Sequence, residues 1–490
     1  MAAHQWLFTF FLILSTSQAQ KPAMSCSYGG RGSLTSICTN ANAAYFRKSS
    51  YRFDNLDETV RCVNCSLQVL ESGSFDLSGN QIKHLDLKHS QITVLKPKAF
   101  IGLVFLESLN LDLNLIAVIP PETFQGVTKI KDISVEKNVI SSLVSNAFVG
   151  LTNLRFLYLS DNKIKVIETD AFKGLDSLEV LDLSKNAIVK LNDIFTAPTR
   201  ILYLDVEQNK IAEIDGSNFK YLQNLVRLNM PRNSLKFIKR NTFLPLVQLE
   251  YLNLSLNPIE AIETGGFRGL SSVDDLDLSS CLIGNVQRGL LLALHQLRVL
   301  NLSYNRLGVF QTGMFSGLPE LRLLNMSHNR IKVYERTGVF KLPKLHNLDL
   351  SFNQLKTINY KALISHLPAL AYLGLENNLL KCFLKNEMEE MFKNDNFKFN
   401  LGMIEGSKCI DVKSDDDDDD DGKVDVTYNV TTESMRFYVS SSGDYEYFLY
   451  VFMVFSIVVI SILFYLHRRD KIELERMLQT DTYEARLIGN

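Results

Sequence analysis

The stretch LRFLYLSDN at residues 154–162 decides how this chain folds, because its spacing of leucines and asparagine returns along most of the sequence. It comes back as LESLNLDLN (106–114), LEVLDLSKN (178–186), LEYLNLSLN (249–257), LRVLNLSYN (297–305), LRLLNMSHN (321–329) and LHNLDLSFN (345–353). The asparagine stands at Asn114, Asn138, Asn162, Asn186, Asn209, Asn233, Asn257, Asn305, Asn329, Asn353 and Asn378, and Ser90 and Cys281 hold the same phase. The interval is 24 residues, except 23 between Asn186 and Asn209 and 25 between Asn353 and Asn378. A fixed period of this size predicts a solenoid. An amphipathic helix or coiled coil would need a period near 3.6 residues, which these blocks lack.

The three apolar positions of the block fit a short strand that turns into a loop and stacks on its equivalent one repeat away. Such strands form a parallel sheet, about 4.8 Å between neighbours, along the inner side of the coil. The asparagine marks the exit from the strand. Its amide both donates and accepts, so it can satisfy turn backbone groups that burial would otherwise strand. A second ladder lies about ten residues beyond each asparagine: Phe100, Phe124, Phe148, Phe172, Phe195, Phe219, Phe243, Phe267, Leu291, Phe315, Phe340 and Leu363. These residues predict a continuous apolar spine on the convex side.

On these blocks the chain resembles the extracellular, 24-residue class of the leucine-rich-repeat family, over about residues 67 to 409. The resemblance implies an α/β solenoid, a horseshoe with its parallel sheet on the concave face and disulfide-containing caps, together with one transmembrane helix read from the sequence below. SFDLSGNQI also carries the motif, but its Asn80 lies only ten residues before Ser90 and can belong to a repeat or to the cap.

The flanks give the expected organisation. Residues 1–19 have the short apolar core and small-residue end of a secretory signal peptide. Residues 20–66 form a cysteine-containing cap, 67–378 about 13 repeats, 379–409 a C-terminal cap and 410–446 an acidic stalk. Residues 447–466 are twenty uncharged residues, long enough for a membrane helix, and 467–490 are a short tail. Tyr445, Tyr447 and Tyr450 at one border and His467, Arg468, Arg469 and Lys471 at the other orient the repeats outward. The expected location is therefore the plasma membrane, as a single-pass type I protein.

An oxidising compartment favours cysteine pairing. Cys26, Cys38, Cys62 and Cys65 are expected to pair among themselves, in any of three connectivities. Cys382 and Cys409 pair in the other cap, as the family resemblance implies. Leu384, Met388, Met391 and Phe392 follow on one side of a helix, as a lid over the last coil requires. Cys281, inside the asparagine ladder, reads as a buried free thiol. Acceptor sequons occur at Asn64, Asn253, Asn301, Asn325 and Asn429, the middle three on the concave face.

The residues six, four and two places before each ladder position project from the inner sheet. Most are Ser, Asn or Asp, but between Asn138 and Asn233 they are Asp132, Glu136, Phe156, Tyr158, Val180, Asp182, Tyr203, Asp205, Glu207 and Arg227. Stacked side by side they make one patch of three aromatics rimmed by carboxylates, the composition of protein-binding hot spots. Strand propensity alone also accounts for Tyr and Phe at such positions.

Other chemistry finds little support. Seven aspartates at Asp415–Asp421 read as a solvated stalk, since Tyr428 stands where a calcium loop needs a bidentate glutamate. No nucleophile motif, metal pair or phosphate loop stands out, so neither an enzyme nor a metal or cofactor site is expected. A net charge of −2 gives no nucleic-acid signal. The expected partner is an extracellular protein ligand or co-receptor, with homophilic or lateral dimerisation also open. The expected function is cell-surface recognition, in adhesion or as a receptor signalling through partners. The alternatives are an innate-immune receptor or co-receptor without its own signalling domain, and an accessory subunit of a membrane channel or enzyme.

Overall fold

The computed structural model describes residues 25–28, 34–47, 57–76, 79–191, 193–335, 342–392 and 398–400. The expected signal peptide, Phe340, Cys409, the aspartate run, Asn429, the membrane segment and the tail lie outside them. Among the described residues no helix is long and apolar enough to cross a membrane.

Seventeen strands build one sheet. Each repeat contributes three residues, paired in parallel with the equivalent residues of the next coil, as Phe156, Leu157 and Tyr158 pair with Val180, Leu181 and Asp182. The middle residue of each strand is buried and its two neighbours face outward, because side chains alternate along a strand.

The asparagine ladder closes each coil. The Asn114 amide nitrogen donates to the carbonyls of Leu87, Leu111 and Asp112 at 3.0, 2.8 and 3.1 Å, and its oxygen accepts from the Ser90 and Ile92 amides at 2.9 and 3.0 Å. One side chain thus satisfies backbone groups in two successive coils. The residue just before each ladder position is left-handed, with φ between 52° and 57° from His89 to Asn377, and none of these residues is glycine. That backbone costs roughly 1–2 kcal/mol per residue, and the ladder hydrogen bonds hold it in place.

The same left-handed residue appears at Asn40 and Asn64, both at φ 54°. Thr35–Thr39 pairs in parallel with Thr59–Val63, and that strand with His84–Asp86. Two coils of the solenoid therefore lie inside the segment expected to be a cap, with Ala41 and Cys65 in the ladder positions. Among the described residues of that segment, the antiparallel strand Ser25–Tyr28 stands outside the repeat. Asn80 is off the ladder: its amide donates to the Gly102 carbonyl at 3.1 Å, on the turn side of its coil.

The phenylalanine spine stacks at ring-centroid distances of 5.7 to 6.2 Å from Phe75 to Phe195 and resumes from Phe219 to Phe267. Phe46 joins it against Phe75 at 5.2 Å. These spacings exceed the roughly 4.8 Å between strands, so this unit curves towards its sheet. Leu291, Phe315 and Leu363 continue the buried row. At the C-terminal end the helix Cys382–Phe392 buries Leu384 and Met388, but Met391 is 45% exposed. Among the described side chains, Met391 therefore does not join the lid face as expected. A strand at Lys398–Asn400, with no counterpart in the repeat pattern, extends the sheet beyond Tyr372–Gly374.

Candidate functional site

Register decides which side chains meet on the sheet. In the first outward row Asp132, Phe156, Val180, Tyr203 and Arg227 stand side by side on successive strands. In the second, Tyr158 is followed by Asp182, Asp205 and Asn229. The residues read from the sequence as one patch do lie together, as two rows of mostly half-exposed side chains, with Asp205 buried, Arg227 exposed, and Glu136 and Glu207 along the margin.

The carboxylates do not all rim the patch. Asp205 is 8% exposed and fully engaged. It accepts from the Tyr203 hydroxyl at 2.9 Å, the Asn229 amide at 2.9 Å and the Glu207 backbone amide at 2.8 Å. It is a buried organiser rather than a projecting contact, because its flanking residues offer it three donors. Asp182 beside it accepts from the Ser184 backbone at 2.8 Å. Burial, followed by the neighbouring Asp205 charge, pushes the Asp182 carboxyl up to about 6, with Glu136 adding to the rise. Burial also raises the Tyr203 phenol, with Asp205 second, so this hydroxyl remains a donor.

Arginines supply the opposite charge at both ends. The Arg155 guanidinium lies 5.1 Å from the Phe156 ring and grips Glu179 with two nitrogens at 2.9 and 2.8 Å. Arg227 lies 4.2 Å from the centre of the Tyr251 ring. The sequence reading stopped at Arg227, yet the first row continues through Tyr251 to Asp275. The signal was present in the same phase one and two repeats later. Burial raises the Asp275 carboxyl, helped by Asp277 and Asp274 and opposed by Arg227.

A second aromatic feature lies on the left-handed positions. Tyr304, His328 and Phe352 stack nearly parallel, each pair at 4.1 Å, with Tyr304 56% and Phe352 39% exposed. His328 stands just before the ladder asparagine Asn329.

The cysteines divide by location. Cys26 and Cys38 form a disulfide across the first, antiparallel strand pair. Cys62 and Cys65, expected to pair as well, are instead free thiols buried in one coil, and the Cys65 thiol lies 3.5 Å from the Cys38 carbonyl. Contact with Cys65 and then burial push the Cys62 thiol up. Cys281 is 3% exposed, a free thiol 3.6 Å from the carbonyls of Leu254 and Ser279, and burial raises it to about 11. Cys382 is half-buried at the first residue of its helix. Among the sequons, Asn253, Asn301 and Asn325 stand in the second outward row. The Asn64 amide donates to Asn40 at 2.8 Å.

Comparison with protein-family models matches Leucine rich repeat to residues 59–116, 105–164, 157–211, 199–259 and 271–331, more than half of the chain. The chain belongs to the leucine-rich-repeat family. Its architecture is similar to that of the APL1 leucine-rich repeat domain, at 24% identity and TM-score 0.50 over 70% of this chain and 82% of that one. The LRIM1/APL1C complex is similar at 20% identity and TM-score 0.52, over 92% and 78% of the two chains. The Drosophila Toll–Spatzle complex is similar at 20% identity and TM-score 0.53, over 61% of this chain and 44% of that one, so less than half of the Toll-complex chain is spanned. No curated protein matches the sequence.

Proposed function

We propose that this chain is a single-pass plasma-membrane protein with its repeats outside the cell. Its concave face recognises another protein, in adhesion or as a receptor that signals through partners. The observation that carries this reading is the pair of half-exposed rows in which Phe156, Tyr158 and Tyr203 flank Asp182. A broad, non-enclosed face of aromatics and carboxylates suits a macromolecular surface better than a small ligand. Its carboxylates outnumber its cations, so the partner presents lysine or arginine side chains that insert between the rings.

A second reading is an innate-immune receptor or co-receptor. It draws on the likeness in fold to a complex described as a hub in Drosophila development and innate immunity. The test common to both displays the full-length protein on cells and cross-links extracellular partners. Alanine at Phe156, Tyr158 and Tyr203 together is expected to abolish capture of the partner the wild type retains. Retention within about threefold, well under 1 kcal/mol, would remove the concave patch as the site.

A further inference from the structure

On the spine side of the same repeats a hollow of about 460 Å³ opens among Arg240, Thr264, Gly265, Arg268, Gly289 and Leu292. It is an open depression on the surface rather than an enclosed cavity. Gly265 decides its geometry. A side chain there would meet the Arg268 stem at 3.1 Å and the Arg240 stem at 3.4 Å, and φ at Gly265 is +85°. Because glycine leaves that space open, the stems of two arginines from successive coils converge over one backbone atom.

Neither arginine forms an ion pair among the described residues, whereas Lys239 pairs with Glu213 at 3.9 Å and Arg298 with Asp274 at 3.4 Å. The nearest carboxylate in the sequence, Glu263, accepts from the Arg240 backbone amide at 2.8 Å. The two arginine stems approach one another at Gly265, and an oxyanion held between their guanidinium groups would accept charge-assisted hydrogen bonds from both. The rest of the lining suits a sugar ring. Thr264 donates to Gln287 at 3.0 Å, a bond that ring hydroxyls can exchange with, and Leu292, 51% exposed, offers an apolar wall for the C–H face.

We infer that this hollow is a binding site for a saccharide bearing a sulfate or phosphate ester, with Arg240 and Arg268 holding the oxyanion. A bilayer surface fits less well, since lipid headgroups are met by several basic residues on an open face rather than by one converging pair. The site is separate from the concave patch and does not depend on it.

The test titrates the full-length protein in detergent micelles with a fluorescent sulfated tetrasaccharide, the same tetrasaccharide without sulfate, and anionic phospholipid vesicles. The sulfated sugar is expected to bind, with affinity falling as salt rises, and the uncharged sugar to bind at least tenfold more weakly. R240Q/R268Q is expected to lose binding at least tenfold, while R306Q, outside the hollow, changes it less than twofold. L292W fills the hollow without altering charge and is expected to weaken binding by a similar factor. Unchanged thermal melting of each variant shows that the repeats remain folded. The site is overturned if R306Q costs as much as the double variant, if L292W has no effect, or if vesicles bind and the sulfated sugar does not.

Discussion

The Tyr203 hydroxyl donates to Asp205, two residues along the same strand, at 2.9 Å, and the Asn229 amide reaches the same carboxylate oxygen from the next coil. This bond fixes the ring of the central aromatic in the candidate site. Tyr203→Phe keeps the ring but removes one donor from a buried charge. It is expected to lower unfolding free energy by about 1.5–3 kcal/mol, read by denaturant titration. A change below about 0.5 kcal/mol would mean that the Asn229 and Glu207 donors suffice without Tyr203.

Asp182 should make the concave face pH-sensitive. Its carboxyl is raised to about 6, first by burial and then by Asp205. The folded protein therefore takes up a proton between about pH 6 and the ordinary carboxylate range that the unfolded chain does not yet bind. The sign follows: lowering the pH through that window stabilises the fold, and the full cost of the buried charge is present above it. A cationic partner should be released over the same interval. Asp182→Asn is expected to flatten both profiles between about pH 4 and 6.5, and identical slopes in variant and wild type would exclude Asp182 as their source.

Cys281 is a weak link in the ladder. In ordinary coils the amide two residues past one ladder position reaches the asparagine of the next, as Leu235 does to Asn257 at 3.1 Å and Ile283 to Asn305 at 3.0 Å. Ile259 donates to the carbonyl of Asn257 at 2.8 Å, across Pro258, and its amide also faces the Cys281 sulfur, a weaker acceptor than an amide oxygen. Cys281→Asn should restore both the acceptor and the donors and raise stability by about 1 kcal/mol. The reverse change at a regular position, Asn162→Ala, strands the Ile140 amide and three carbonyls. It should cost about 3 kcal/mol or more. Calorimetric melting of the two variants reads both, and destabilisation by Cys281→Asn would assign the thiol a role beyond the ladder.

The N-terminal connectivity is open to direct mapping. Proteolysis without reduction, followed by mass spectrometry, is expected to yield a peptide pair linked through Cys26 and Cys38. Cys281 should be labelled by a thiol reagent only after unfolding. Recovery of Cys26 linked to Cys62 or Cys65 would refute the expected connectivity.

Much of this was legible from the chain. The period located every coil from Asn114 onward, and the phase of Phe156, Tyr158, Asp182 and Tyr203 placed them on one face. The first two coils were hidden because Ala41 and Cys65 occupy ladder positions where asparagine gives the signal. Backbone φ at Asn40 and Asn64 identifies them. The first outward row runs on past Arg227, because Tyr251 and Asp275 keep the same phase.

The sequence by itself determined the solenoid, since a 24-residue repeat of apolar positions can bury its leucines only by stacking on its neighbours. It also determined which side chains face outward, because alternation along a three-residue strand is a property of the backbone. Tertiary structure alone decided what those side chains do. Asp205 became an internal acceptor because donors from two coils converge on it. Asp182 became a titratable contact because burial and that neighbour oppose its charge. Arg240 and Arg268 came together because they meet over a glycine from different coils, at different phases of the repeat, and only the packing of one turn on the next brings such residues within reach.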